Sequence, residues 1–378
     1  MPAQHPAVAE ISKSALEHNL KVIRQHAGAS PVWGVIKANA YGHRVEIVLP
    51  IIAPHVDGVA CARFNEALEI QTLMQQHQIN LPILILGGTY ALDEMQYAQE
   101  HGFQLACHSQ EQIQMLKQLK GKPLKVWVEL NSRMNRLGFL PSTIKAAFEE
   151  LHAAEAVDPI GVMAHLGTAD EPQGEEAKLQ VERCQQVFAD LRQKYPALLT
   201  SLSNSAHLLS RDELDSYSFQ KQATDWVRPG ICLYGSTPFA DKTAIDLNLK
   251  PVMTLKSRIV SHYKIKKGET VGYGATWSAP SDGELFIIAF GYGDGYPRHM
   301  QEAYVISKDV QLQKAGRVSM DLSAYFYQGH LDNGPSVGDY VELWGNQISV
   351  DDVAAWSSSI GYERLTQIKG RVEYSVIE

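Results

Sequence analysis

Short apolar runs alternate with helical segments through residues 12–240 of the chain. Eight of these runs are rich in Val, Ile and Leu, as expected of parallel strands that are covered on both faces. The predicted strands are Pro31–Lys37, Val56–Ala62, Leu81–Leu86, Phe103–Cys107, Leu124–Leu130, Pro159–His165, Leu199–Asn204 and Trp226–Leu233. Eight strand–helix units in roughly 230 residues predict an α/β fold, a (β/α)8 TIM-like barrel. A doubly wound parallel sheet is the alternative.

Amphipathic patterns between these strands predict the helices of the barrel. The predicted helices are Lys13–His26, Asn65–His77, Ala91–His101, Gln110–Leu119, Thr143–Ala154 and Glu176–Tyr195. Asn65 and Ser109 stand at N-cap positions, where a side-chain oxygen can accept a hydrogen bond from a backbone N–H of the first turn.

The pattern changes at residue 241, where helices become sparse and glycine turns separate short strands. The predicted strands are Val252–Tyr263, Glu284–Phe290, Ala303–Ile306, Val310–Lys314, Ser323–Tyr327 and Tyr340–Trp344. We therefore predict a cofactor-binding barrel over residues 12–240 and a β-rich C-terminal domain over residues 241–378. Residues 1–11 can pack with this second domain.

Composition excludes several classes of function. The formal net charge is −8, and the chain has no basic block, which argues against a nucleic acid or an anionic membrane surface as partner. No apolar run is long enough to span a bilayer, and we expect no secretory signal. The four cysteines are widely spaced without a CxxC pair. These features predict a cytoplasmic enzyme without a bound metal.

Two polar residues end predicted strands, where (β/α)8 barrels carry their catalytic groups. Lys37 closes the first run, and burial there would lower its pKa and favour a reactive free amine. The alternative is a lysine whose charged end extends past the strand into water. His165 ends the sixth run and is either a catalytic group or a structural histidine.

The last two barrel loops carry residue types that suit a phosphate site. Asn204 and Ser205 follow the seventh run, and Gly230 and Ile231 lie in the eighth. Loops at these places in barrels commonly bind phosphate through backbone N–H groups and hydroxyls. Each residue alone is a weak signal, because Gly and Ser are common in loops. With Lys37 on the same rim, they indicate pyridoxal phosphate as cofactor.

The second domain contains tyrosines flanked by glycines, in the segments Gly272–Thr276 and Gly291–Tyr296. Glycine is unfavourable inside a strand, so the pattern favours a side chain that is presented from a turn. The alternative is an ordinary turn tyrosine whose glycines serve only the backbone. A third segment, Gly316–Asp321, has a similar position between predicted strands.

The order of these motifs along the chain resembles that of the alanine racemase family. The matching segments are Val35–His43, Met134–Gly138, His165 with Ala169-Asp170, Asn204-Ser205, Val227–Ile231, Gly272–Thr276 and Gly316–Asp321. The resemblance implies a pyridoxal-phosphate-dependent racemase that interconverts L- and D-alanine with two bases. It also implies a homodimer with shared active sites and D-alanine supply for the bacterial cell wall, or catabolic use of one isomer.

The resemblance also implies roles for individual residues. Lys37 would bind the cofactor and act on the D face, and Tyr273 from the other subunit would act on the L face. His165 and Arg228 would form a hydrogen-bond relay to that tyrosine, with Arg228 on the pyridine nitrogen. The residues that would hold the phosphate group are Tyr41, Ser205, Gly230 and Ile231, and Asn204 would also belong to the cofactor site.

The resemblance places the substrate carboxylate on Arg136 and on the backbone N–H of Met320. Tyr292 and Arg317 would line the substrate entrance, again from the other subunit. These assignments predict that one chain does not contain a complete active site.

The chain departs from the family pattern at two positions. Glu129 stands where the family often has a carbamylated lysine; its carboxylate could supply the same negative charge beside Arg136, or it could be a solvent-exposed residue. Gly370 aligns with a tyrosine that normally narrows the pocket, which predicts broader specificity for serine, lysine or arginine. Two further alternatives are an amino-acid decarboxylase, which would carry an acidic residue in place of Arg228, and a non-catalytic pyridoxal-phosphate protein.

Overall fold

The barrel sheet consists of parallel strands that pair in chain order, in a computed structural model that describes residues 6–210, 214 and 223–378. The strands are β2 (Trp33–Val35), β3 (Gly58–Cys61), β4 (Ile83–Ile85), β5 (Gln104–Cys107), β6 (Leu124–Leu130), β7 (Val157–Ala164) and β8 (Leu199–Ser201). Parallel bridges from Asp225 to Thr200 and from Val227 to Val32 close the sheet on itself. The predicted (β/α)8 barrel is therefore confirmed.

A partly buried ion pair lies where the barrel closes. Asp225 is buried, and its carboxylate accepts hydrogen bonds from Arg192, at 2.6 Å, and from the hydroxyl of Thr200. Removing one partner of a buried pair typically costs several kcal/mol, because the other charge is left without compensation. Trp33 stacks on Trp226 with ring centroids 4.5 Å apart, so apolar packing also joins the first strand to the closing segment.

The predicted eighth strand is only partly correct. Asp225 and Val227 are extended, but Ile231–Tyr234 forms a 3₁₀ turn that ends in a left-handed glycine, Gly235. This turn leads the chain out of the barrel towards the second domain.

The six predicted barrel helices are present with small differences at their ends, and the structure adds two that were not predicted, Val45–Ile52 and Ser205–Leu209. They are α1 (Lys13–Ala27), α2 (Val45–Ile52), α3 (Phe64–Gln76), α4 (Leu92–His101), α5 (Gln110–Leu116), α6 (Ile144–His152), α7 (Glu175–Lys194) and α8 (Ser205–Leu209). Ser109 caps α5 by accepting from the Gln112 N–H at 3.4 Å. The prediction of Asn65 as an N-cap is wrong, because α3 begins one residue earlier, at Phe64, after Arg63.

An eight-stranded sheet forms the centre of the second domain, in the order β12-β15-β14-β13-β16-β9-β1-β17. Its strands are β1 (Ala7–Ser12), β9 (Met253–Ile265), β12 (Gly283–Ile288), β13 (Tyr304–Ser307), β14 (Val310–Lys314), β15 (Ser323–Gln328), β16 (Tyr340–Trp344) and β17 (Glu373–Ile377). A small separate pair consists of β10 (Thr270–Val271) and β11 (Trp277–Ser278). The N-terminal β1 pairs antiparallel with β9 and parallel with the C-terminal β17.

Two short helices of the second domain were not predicted: α9 (Val350–Trp356) and α10 (Gly361–Thr366). The chain beyond α10 reaches the barrel, where the Tyr374 hydroxyl donates to the Gly42 carbonyl at 2.8 Å. Among the described residues, none of the helices is both long and apolar enough to cross a membrane. The same part of the chain contains no cluster of three or more His, Cys, Asp or Glu side chains arranged to hold a metal ion.

Candidate active site

A cavity of about 660 Å³ opens at the C-terminal ends of the barrel strands. It brings together all the barrel residues that the sequence analysis selected as site residues. These lining residues are Lys37, Tyr41, Arg136, His165, Asn204, Ser205, Arg228, Gly230 and Ile231. Glu129 also lines the cavity and is buried, so the alternative of a solvent-exposed glutamate does not hold.

Lys37 and Tyr41 are the two ends of a left-handed turn. Its residues from Ala38 to Tyr41 have φ angles of 52°, 54°, 53° and 52°, although none is glycine. The left-handed helical conformation costs roughly 1–2 kcal/mol per residue. Strain of this kind persists only where surrounding contacts enforce it, and it is concentrated at functional sites.

Two side chains enforce the left-handed turn. The Glu66 carboxylate accepts from the Ala38 N–H at 2.6 Å with one oxygen and from the Ala62 N–H at 2.8 Å with the other. The Asn39 side chain accepts from the Val45 N–H at 2.7 Å. These bonds connect the turn to β3, α3 and α2, and thereby hold Lys37 and Tyr41 at the cavity.

The Lys37 amine has a lowered pKa. Burial is the main cause, and the charges of Arg136 and Arg228 lower it further, while Glu66 raises it. An amine that loses its proton more readily is a better nucleophile towards a carbonyl carbon. The position therefore suits an amine that forms a covalent bond with an aldehyde.

Arg228 is a buried cation at the centre of the cavity wall. It donates to the Ala164 carbonyl at 2.6 Å and to the Ser201 hydroxyl. Burial lowers its pKa to about 10, and the charge of Glu129 opposes this shift. A group with this pKa remains charged near neutral pH.

His165 and Glu129 are two further titratable groups that line the cavity. Burial, together with the charges of Arg228, Arg136 and Lys37, lowers the pKa of His165 to about 3, so the imidazole is neutral. Burial raises the pKa of the Glu129 carboxyl, and the two arginines oppose that effect. The side chains that line the cavity include two guanidinium groups, Arg136 and Arg228, which suit an anionic ligand.

A second group of lining residues, Tyr41, Ser205, Gly230 and Ile231, forms what we call the cradle. The Ser205 hydroxyl oxygen accepts from the Gly230 N–H at 2.9 Å. A Cβ on Gly230 would lie 2.4 Å from the Tyr41 phenol oxygen, so only glycine allows this close approach. Burial raises the pKa of Tyr41, which keeps its phenol protonated and able to donate. Hydroxyl groups and backbone N–H groups of this kind fit a phosphate group.

Asn204 has a structural hydrogen-bond pattern. Its side-chain oxygen accepts from the His207 N–H at 3.0 Å, and its amide donates to the Leu166 carbonyl at 3.1 Å. It caps α8 and connects this helix to the loop that follows β7. The residue thus holds Ser205 in place at the rim.

The second-domain residues selected from the sequence do not line this cavity. Tyr273 is 67% exposed and Met320 is 54% exposed, and both lie on the surface of the chain. A Cβ on Gly274 would lie 3.2 Å from an Arg317 guanidinium nitrogen, which places Arg317 beside the Tyr273 turn. Tyr292 is 37% exposed and lies on a different hollow. The barrel residues and these four residues are not brought together within one chain.

Sequence reasoning missed the contribution of α10 to the cavity. Tyr362 and Thr366 line it, and the Tyr362 ring lies 6.1 Å from the Tyr41 ring, centroid to centroid. Gly370 is exposed and is not among the lining residues, and a Cβ there would meet no atom within 4 Å. The short α10 has few residues and a weak helical pattern, so its sequence carried no signal of a place in the site.

Comparison with known proteins identifies close structural relatives. Family models of the alanine racemase N-terminal and C-terminal domains match residues 11–238 and 252–376. Alanine racemase of Vibrio cholerae is 38% identical over 98% of this chain and 98% of its own length. The biosynthetic alanine racemase of Pseudomonas aeruginosa superposes with a TM-score of 0.89, at 34% identity over 99% of this chain and 100% of the other. Alanine racemase of Bartonella henselae, solved with covalently bound pyridoxal phosphate, has a TM-score of 0.85 and 25% identity over 99% of this chain and 100% of the other.

Proposed function

Because the chain belongs to the alanine racemase family, we propose that the cavity residues interconvert L- and D-alanine in the way described below. The protein is a pyridoxal-phosphate-dependent isomerase. When bound, the cofactor supplies an electron sink that makes the Cα–H of an amino acid more acidic. The observation that carries the proposal is the cavity itself, which is lined by a half-buried amine, two guanidinium groups and the cradle.

The barrel residues hold the cofactor in this proposal. The Lys37 amine would bond to its aldehyde carbon with loss of water, the cradle would surround its phosphate group, and Asn204 would hold the cradle residue Ser205. Arg228 would face the pyridine nitrogen, and its guanidinium stays protonated near neutral pH. The lowered pKa of Lys37 and the two guanidinium groups that line the cavity support this arrangement.

Racemisation requires a proton to leave one face of the substrate and to return on the other, so two bases are needed. In this proposal the substrate amine would displace the Lys37 amine from the cofactor, and the freed amine would serve the face of the D isomer. The partner subunit's Tyr273 would serve the face of the L isomer. A tyrosine has a reference pKa near 10 and needs a path for its proton near neutral pH. His165, which is neutral, and Arg228 provide that path as a hydrogen-bond relay.

Arg136 and the backbone N–H of the partner subunit's Met320 bind the substrate carboxylate. The partner subunit's Tyr292 and the partner subunit's Arg317 line the entrance. This sharing implies a homodimer in the cytoplasm, formed by barrels over residues 12–240 and β-rich domains over residues 241–378. The exposure of Tyr273 outside the cavity of its own chain supports the sharing.

A chiral assay tests the activity. Purified protein with pyridoxal phosphate should convert L-alanine to D-alanine until the two are equal, and Lys37→Ala should abolish the conversion. A panel that adds serine, lysine and arginine tests the broader specificity. Release of carbon dioxide without a D-amino acid would indicate a decarboxylase and would contradict the proposal.

Mixing two inactive variants tests the shared site. In a heterodimer of Lys37→Ala and Tyr273→Ala protomers, one site carries both substitutions and the other carries neither. If the protomers reassociate at random, half of the dimers are heterodimers with one intact site, so about a quarter of the native activity should return. If Tyr273 acted within its own chain, the mixture would stay inactive.

A further inference from the structure

Arg371 joins three segments of the second domain. It lies between α10 and β17, and its guanidinium contacts two carboxylates. Nε lies 2.8 Å from an Asp294 oxygen, and a terminal nitrogen donates to the Asp321 carboxylate at 2.7 Å. Asp294 belongs to the segment after β12, residues 291–296, which we call the Tyr292 turn. Asp321 belongs to the segment between β14 and β15, residues 319–321, which we call the Met320 turn.

The two turns are also bonded to each other through their backbones. The Tyr292 N–H donates to the Ser319 carbonyl at 3.1 Å, and the Gly293 N–H donates to the Met320 carbonyl at 2.7 Å. A Cβ on Gly293 would lie 2.5 Å from an Arg371 guanidinium nitrogen and 2.8 Å from the Met320 carbonyl oxygen. The guanidinium therefore packs against the backbone at the place where the two turns meet.

These contacts set the direction of the Met320 N–H. The peptide unit between Ser319 and Met320 is trans, so its C=O and N–H point in opposite directions. Its C=O is directed at the Tyr292 turn, because it accepts from the Tyr292 N–H. The Met320 N–H therefore points away from that turn, and it makes no hydrogen bond to the described residues. Since Met320 is 54% exposed, this N–H is available to a group outside its own chain.

The charges show which part of the arrangement depends on Arg371. Asp294 is buried, its second carboxylate oxygen accepts from the Gly291 N–H at 2.9 Å, and its carbonyl accepts from the Lys369 N–H at 3.1 Å. The segment that carries Arg371 is thus attached to the Tyr292 turn by its backbone as well. Asp321 is exposed, so its ion pair adds little to the free energy of unfolding. Its effect is to restrict the position of the Met320 turn.

We propose that Arg371 is a positioning residue of the shared site, which holds the Met320 turn against the Tyr292 turn. It thereby aims the Met320 N–H at the substrate carboxylate in the cavity of the other subunit. This inference rests on the proposed function, which assigns that N–H to the carboxylate. Arg371 itself does not touch the substrate, and its loss affects the cavity of the other subunit instead of the cavity of its own chain.

The first test is kinetic. Arg371→Ala frees the Met320 turn and should raise the KM for L-alanine and for D-alanine about tenfold, because a hydrogen bond to a charged group is lost. The kcat should stay within about threefold, since the carboxylate is bound equally well in the ground state and in the transition state. Arg371→Lys keeps the charge without the second arm of the fork, so its KM should be intermediate. Calorimetry with propionate, which is alanine without its amine, should show the same loss of affinity.

The control is Lys308→Ala, in the turn between β13 and β14. The side chains of Lys308 and Arg371 are equally exposed, at 53%, and Lys308 also pairs with a carboxylate of the second domain, that of Asp339 at 2.7 Å. Its replacement should leave the KM unchanged. Circular dichroism checks the fold. If Arg371→Ala unfolds, Asp321→Asn replaces it, because it weakens the anchor of the Met320 turn at an exposed position and should also raise the KM.

Mixed dimers show in which subunit Arg371 acts. If Arg371→Ala is reassociated with an excess of inactive Lys37→Ala, nearly every active cavity faces a second domain with an intact Arg371, so the KM should be that of native protein. If native protein is reassociated with an excess of the double variant Lys37→Ala/Arg371→Ala, nearly every active cavity faces a substituted second domain, so the KM should be raised. A structural role of Arg371 within its own chain would give the opposite pattern.

Three results would overturn the role of Arg371: a native KM in both Arg371→Ala and Asp321→Asn, an equal rise in Lys308→Ala, or a raised KM that follows the chain of the active cavity. In each case native protein still racemises alanine, so the proposed function stands. Native protein that does not interconvert the isomers would refute the proposed function and this inference with it.

Discussion

The buried His43 should make the stability of this protein fall as the pH drops below neutral. Its ring is completely buried against Tyr234, with ring centroids 4.6 Å apart. Nδ1 donates to the Tyr41 carbonyl at 3.0 Å, while Nε2 is buried without a partner among the described residues. Burial lowers the pKa of His43 to about 4 from its ordinary value of 6.5. The native state therefore holds this imidazole neutral.

The sign and size of the effect follow from these two pKa values. Between pH 6.5 and pH 4 the unfolded chain binds a proton at His43 that the native chain does not, so the free energy of unfolding decreases as the pH falls. A difference of one unit between the pKa values of the folded and unfolded states corresponds to about 1.4 kcal/mol. Between pH 7 and pH 5 this residue should therefore lower the free energy of unfolding by about 2 kcal/mol.

The assay is urea unfolding at pH 7 and at pH 5, with fixed protomer and cofactor concentrations, for native protein and for His43→Phe. The variant loses the hydrogen bond to Tyr41 and should be less stable at pH 7. At pH 5 the difference in the free energy of unfolding between the two proteins should be smaller by about 2 kcal/mol. The reason is that only the protein with His43 has an imidazole that is neutral when folded and protonated when unfolded. The control is His152→Phe, at an exposed position. If the two proteins differed by the same free energy of unfolding at pH 7 and at pH 5, the reasoning would be refuted.

Two further substitutions test the left-handed turn. Glu66→Ala removes the acceptor of the Ala38 N–H and should lower the affinity for pyridoxal phosphate by about tenfold or more, as measured by absorbance titration of the apoprotein. Glu69→Ala, on the exposed side of the same helix, should leave this affinity unchanged. Equal losses of affinity in the two variants would contradict the argument. Gly42→Ala combines a φ of 79° with a Cβ 2.1 Å from the Leu365 carbonyl, so the free energy of unfolding should fall by about 2 kcal/mol or more. Gly370→Ala should change the free energy of unfolding, measured with urea, by less than about 0.5 kcal/mol. Equal changes for the two glycine variants would contradict the argument.

The barrel could be predicted from the sequence because its strands are short and mostly apolar. Leu124–Leu130 has the same bounds in the sequence pattern and in the structure, where every residue except Lys125 is buried. The rim residues followed from the strand ends, so Lys37 and His165 were placed correctly at the cavity.

Elements whose structure depends on distant partners were missed. The strand Glu373–Ile377 pairs with Ala7–Ser12 at the opposite end of the chain, and no local pattern reports such a pairing. The N-cap was misplaced because the Glu66 carboxylate accepts from the Arg63 N–H at 3.0 Å and starts the helix earlier than Asn65. The left-handed turn could not be predicted either, because Ala and Tyr strongly prefer negative φ.

The left-handed turn also explains why the two domains are not separable parts of the site. Four consecutive left-handed residues without glycine cost roughly 4–8 kcal/mol, and the bonds of Glu66 and Asn39 come only from the barrel side. On the other side, the second domain closes over the turn through Leu365, which leaves no room for a Cβ on Gly42, and through the Tyr374 hydroxyl. The second domain therefore stabilises the Lys37 segment of its own chain, in addition to the tyrosine that we propose it contributes to the partner. A barrel expressed alone would lose these contacts, and its left-handed turn would relax. This effect would be separate from the loss of the base that we propose the second domain contributes.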